Sequence, residues 1–79
     1  MKVYITEYAL TKGILEREAK IAEFEGDLFA HIDEMYKSFL IGYNVFYTKS
    51  EAKQKAEEMR VKKIASLKKK IEKLEKLKF

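Results

Sequence analysis

Hydrophobic and polar positions change rhythm once along this 79-residue chain, from short alternating runs before Thr48 to helical spacing after it. Thr48 to Phe79 contains no Pro or Gly and is dense in Glu, Lys, Ala and Leu, which predicts one continuous helix over 48–79. At 100° per residue, Ala52, Ala56, Met59, Ile64, Leu67, Ile71, Leu74 and Leu77 share an arc of roughly 140°, interrupted by Lys63 and Lys70. Thr48 and Glu51 have the spacing of a capping box, and Tyr47 can staple onto Ala52. Glu51/Lys55, Glu58/Lys62 and Glu72/Lys76 stand in the favourable i,i+4 order, each contributing about 0.2–0.5 kcal/mol to an isolated helix.

Before the helix, Lys2 to Tyr8 alternates Val3 and Ile5 with Tyr4, Thr6 and Tyr8 and predicts a strand, ended by a turn at Thr11-Lys12-Gly13. Residues 14–24 admit two readings. Glu, Ala and Lys content favours a helix closed by Gly26, whereas alternation sets Leu15, Ala19 and Ile21 against Glu16, Glu18 and Lys20, with Arg17 as the exception. The strand reading is preferred because the flanking strands need pairing partners. Glu25-Gly26-Asp27 then forms a turn, Leu28 to Ile32 a strand, Asp33-Glu34 a polar break, and Lys37 to Ile41 and Asn44 to Tyr47 two more strands around Gly42-Tyr43. The expected fold is α+β: a small antiparallel sheet of about four to five short strands followed by one long C-terminal helix. It forms a single domain, 1–79, with a β-rich half at 1–47.

A helix of about 30 residues spans roughly 45 Å, while a compact domain of this length measures about 30 Å across. The sheet half can therefore shelter only the near part of the stripe, and leaving Ile64, Leu67, Ile71 and Leu74 in water forfeits about 1.5–3 kcal/mol each. Charge divides unevenly too. Residues 1–48 hold five basic and eight acidic side chains, net −3, and 49–79 hold twelve and five, net +7, a split that points to a polyanionic partner. The chain has no Cys, hence no disulfide framework or thiolate metal site. No apolar run is long enough to span a bilayer, and MKVYITEYAL lacks a signal peptide's apolar region, so a cytoplasmic protein is expected.

Three stretches, KVYITEYALTKGI, NVFYTKSEAKQKAEEMR and KKIASLKKKIEKLEKLKF, together resemble a group of small uncharacterised bacterial and phage or prophage proteins. Those proteins share this opening, an aromatic-x-Thr-x-x-Glu-Ala junction and a Lys-rich closing helix. The resemblance covers both ends of the chain and little of residues 22–43. It implies a β-rich first half, a C-terminal helix and a mobile-element origin, and it carries no activity or functional residue.

Candidate chemistry is sparse. His31 stands between apolar neighbours in LFAHI, with Asp27, Asp33 and Glu34 the nearest carboxylates, and is read as structural; a pocket joining it to a carboxylate would revive a catalytic reading. Ser38, Ser50 and Ser66 are the only serines, and no nucleotide-binding or hydrolase motif occurs. Glu25, Asp27, Asp33 and Glu34 lack the ligand order of a calcium loop and read as solvated. Tyr4, Tyr8, Tyr43, Phe46 and Tyr47 can serve as stacking platforms or as core under the helix, and the core reading is preferred.

These observations favour a non-enzymatic, self-associating module without cofactor, metal or small-molecule substrate. A homodimer or higher homo-oligomer forms through Ile64, Leu67, Ile71 and Leu74, over about two heptads, because Lys78 breaks the seam. The alternative is a nucleic-acid-binding accessory protein contacting phosphates through Arg60, Lys62, Lys63, Lys68, Lys69, Lys70, Lys73 and Lys76.

Overall fold

In the computed structural model, which describes residues 1–78, the opening alternation becomes β1 (Lys2–Ile5), with Val3 and Ile5 fully buried and Tyr4 between them half-exposed. The strand is shorter than its pattern suggested. After Ile5 the Thr6 amide donates to Asn44 O, and the Tyr8 carbonyl accepts from the Thr11 and Lys12 amides, starting the one-turn helix α1 (Ala9–Lys12) in place of the expected turn. Gly13, at φ +79°, closes it in a conformation that an L side chain resists.

Residues 14–24 are extended, as the alternation favoured, and serve two sheets. Strand β2 (Leu15–Glu18) pairs antiparallel with β1, and β3 (Lys20–Phe24) pairs with β4 (Asp27–Ile32). Ala19 is the corner: it is buried, and its amide still donates to Met1 O on the first sheet. Leu15, Arg17, Ala19 and Ile21 turn inward and Glu16, Glu18 and Lys20 outward. Arg17 tolerates the inner side because its guanidinium reaches Glu34 at 3.6 Å and the Glu16 carbonyl at 2.8 Å.

A 3-10 turn at Asp33–Met35 leads to β5 (Lys37–Leu40), and β6 (Val45–Phe46) returns to β1. There are thus six strands in two three-stranded antiparallel sheets, β2-β1-β6 and β3-β4-β5, rather than four to five in one. Val3, Ile5, Ala19, Ala30, Ile32, Phe39 and Val45 form the core. Alternation tells which face a residue takes, not which neighbour its strand chooses, so the split into two sheets was not readable from it.

Helix α2 (Lys49–Glu75) starts where the capping residues placed it: Thr48 Oγ1 accepts from the Glu51 amide at 3.2 Å. The reciprocal half differs, because the Thr48 hydroxyl donates to the Glu51 carboxylate at 2.8 Å. The helix ends at Glu75, short of the expected 79. Lys76 caps it and Leu77 lies beyond; Phe79 falls outside the described residues. Its base packs on α1, β1 and β6. The molecule extends 55 × 25 × 21 Å with a radius of gyration of 16.5 Å, against about 12 Å for a compact chain of this length.

Candidate interaction surface

Only the first three turns of α2 are held by the sheets. Ala52 is fully buried, and Lys55, Ala56 and Met59 are half-buried. Small residues at 52 and 56 let the backbone approach β6 and α1, and Met59 closes the contact. From Arg60 to Lys78 every described residue is exposed. Ile64, Leu67, Ile71 and Leu74, the predicted interface, lie together on this projecting part with exposures from 40% to 67%. Leu77, on the predicted stripe, is exposed beyond the helix end, and Val61 adds an exposed apolar side chain on the opposite side.

The eight predicted phosphate contacts, Arg60 to Lys76, are all exposed on the same stretch. A continuous helix distributes them around most of its circumference, with Lys63 and Lys70 inside the apolar stripe. Arg60 is engaged by Glu57, its Nε lying 3.1 Å from both carboxylate oxygens; this hydrogen bond raises the Arg60 pKa and lowers that of Glu57. It is the one ion pair along α2 among the described residues, so the three expected i,i+4 pairs do not close. Lys55 instead places its ammonium 4.9 Å from the centre of the Tyr43 ring.

Of the five aromatics weighed above, only Phe46 is buried. Tyr4 and Tyr8 are half-buried, and Tyr43 and Tyr47 are exposed. The core reading fails for the last two because the inter-sheet core is filled by Phe39 and by branched aliphatics of both sheets, leaving the β6–α2 junction at the surface. Lys37 binds Glu7 at 2.8 Å and Tyr8 Oη at 3.1 Å, bonds that raise the Lys37 pKa and tie β5 to the segment after β1.

His31 lies on the outer face of the β3-β4-β5 sheet, Nδ1 3.0 Å from Ser38 Oγ and Nε2 3.2 Å from Asp33 Oδ1. This brings a hydroxyl, an imidazole and a carboxylate together. The ring is 43% exposed and Lys20 shares the Asp33 carboxylate at 3.4 Å, so the constellation sits on an open surface rather than in a water-excluding cleft. The carboxylates at 25 and 27 stand at one end of β4 and those at 33 and 34 at the other. A groove of about 250 Å³ lined by Thr6, Glu7, Tyr43, Asn44, Lys55 and Met59 runs beside the helix base. Nearby, Thr6 Oγ1 and Asn44 Oδ1 are buried without a hydrogen-bond partner among the described residues.

Comparison with protein-family models, curated proteins and solved structures finds no match. The surface must therefore be read from its own chemistry. Among the described residues no helix is long and apolar enough to cross a membrane. One surface was missed in the sequence: the outer face of the second sheet exposes Phe24 and half-exposes Phe29 and Leu40. Their alternation with Ala30 and Phe39 was the available signal, but it could be used only once the pairing of β3, β4 and β5 was known.

Proposed function

We propose that this protein is a non-enzymatic, self-associating interaction module of phage or mobile-element origin, whose distal α2 stripe is covered by a second copy of the chain. The observation that carries the reading is the projecting helix, with Ile64, Leu67, Ile71 and Leu74 all in water and spaced three and four apart. Hydrophobic side chains scattered singly on a surface need no partner, but four in line on an otherwise charged rod match a docking face. The resemblance of both chain ends to small phage and prophage proteins supports the origin.

Sedimentation at micromolar concentration tests the association. The expected mass is at least twice that of the chain, returning to the monomer in Ile71→Glu, a substitution at an exposed position that leaves the sheets folded. A wild-type monomer overturns the reading.

A second reading is favoured by one observation: the seven lysines from Lys62 to Lys76 have no carboxylate within 4 Å among the described residues. Such cations suit phosphates, although their spread around the rod suits no single groove. Retardation of random duplex DNA at low salt, lost steeply as salt rises, is the result this reading requires.

A further inference from the structure

The chain carries two uncovered apolar faces, each bordered by unpaired charge of a different sign. One is the distal stripe of α2. The other is the outer side of the β3-β4-β5 sheet, where Ala22, Phe24, Phe29 and Leu40 oppose the inward-facing Ile21, Ala30, Ile32 and Phe39. The cross-strand pairs Ala22–Phe29 and Phe29–Leu40 make this patch contiguous, and Phe24, 65% exposed, extends it to the hairpin tip.

Unpaired charge follows the same division. In the sheet half, Glu7, Glu16, Glu18, Asp33 and Glu34 each have a cation within 4 Å. Glu23, Glu25 and Asp27 have none among the described residues; Glu25 and Asp27 stand at the tip of the β3–β4 hairpin beside Phe24, while Glu23 pairs with Leu28 on the other face. The distal lysines of α2 are the complementary set. Pairing the helix with itself would instead gather like charges: with Ile64 and Ile71 as a positions, the flanking e and g positions hold Lys63, Lys68 and Lys70 against the single carboxylate of Glu75.

We infer that, given the self-association proposed above, the distal half of α2 lies across the outer face of the β3-β4-β5 sheet of a second copy. Ile64, Leu67, Ile71 and Leu74 cover Phe24, Phe29 and Leu40, and the lysines meet Glu25 and Asp27. The lengths agree: Ile64 to Leu74 spans about 15 Å of helix, and the six residues of β4 about 17 Å. Each copy supplies one helix and one sheet face, so two such contacts form reciprocally in a dimer.

Phe24→Glu and Ile71→Glu, both at exposed positions, test this by sedimentation, with circular dichroism confirming that each variant is folded. Each alone is expected to weaken dimerisation by at least roughly tenfold. An equimolar mixture is expected to restore a heterodimer, because the intact helix of one variant meets the intact sheet face of the other. Wild-type dimerisation in Phe24→Glu overturns the sheet as the docking face and leaves self-association standing; so does a mixture that stays monomeric. A wild-type monomer overturns both readings.

Discussion

Tyr36 stands 92% exposed at φ +50°, closing the 3-10 turn in the left-handed region. For an L residue with a Cβ that conformation costs about 1–2 kcal/mol, and Asn tolerates it better. Since the ring buries almost nothing in return, Tyr36→Asn is expected to stabilise the fold by about 1 kcal/mol, read as a rise of roughly 4–8 °C in the thermal midpoint of a chain this size. Charge at single residues yields a second expectation. The Arg60 hydrogen bond holds the Glu57 carboxylate below its ordinary range. The pair's contribution is therefore present above the unfolded carboxylate pKa and lost as pH falls through the lower folded value. Following the Glu57 side-chain carboxyl by NMR titration should give a depressed midpoint in the wild type that returns to the ordinary range in Arg60→Gln. An unchanged midpoint in that variant would show that the pair is absent in solution. Lys37 has the opposite sign: its raised pKa makes the contribution of the Glu7 contact complete below the unfolded lysine value and lost as pH rises through the folded one.

Among the elements, the β3–β4 hairpin is the most demanding in its chemistry. Phe24 pairs with Asp27, leaving a two-residue loop in which Glu25 has φ +51° and Gly26 φ +85°, the signs of a type I′ turn. Gly26→Ala should therefore destabilise by about 1 kcal/mol, although a Cβ there meets nothing within 4 Å, because the penalty is torsional. Glu25→Asn should stabilise, and thermal melts of both variants decide it. Gly26 made this turn visible in the sequence, as Thr48 and Glu51 did the start of α2, since each rests on local geometry that a few neighbouring residues determine. The strand at 14–24 was harder: its propensity is helical, the alternation of Leu15, Ala19 and Ile21 with Glu16, Glu18 and Lys20 only allowed a strand, and the need of the flanking strands for partners tipped the reading toward it. The one-turn α1 is too short to show a period. The division of strands at Ala19 depends on contacts between distant residues, and so does the apolar patch at Phe24, Phe29 and Leu40, which exists only when three strands lie side by side. The distal helix residues were placed by periodicity, while their proposed counterpart on the sheet needed the fold.

At the scale of the whole molecule, a 27-residue helix is fixed at its base to a pair of small sheets and projects beyond them, giving a long axis of 55 Å. The projection separates charge as well as shape, because lysines dominate the distal rod while Glu25 and Asp27 stand without a cation at the hairpin tip among the described residues. Two ways of covering the rod then respond to salt with opposite sign. Docking on the hairpin sheet joins unlike charges, so screening weakens it; pairing of two rods joins lysines, so screening strengthens it. With a Debye length of about 10 Å at 0.1 M ionic strength, charges at a helix–sheet interface fall within the range where added salt acts. Between about 50 and 300 mM NaCl, the dimer dissociation constant measured by sedimentation equilibrium is expected to rise. The apolar contacts of Ile64, Leu67, Ile71 and Leu74 hold the loss to a moderate one rather than abolishing the dimer. Glu25→Lys combined with Asp27→Lys should reverse the trend, giving a weaker dimer that tightens as salt is added. A wild-type dimer that tightens with salt would place the rods side by side and remove the sheet from the interface.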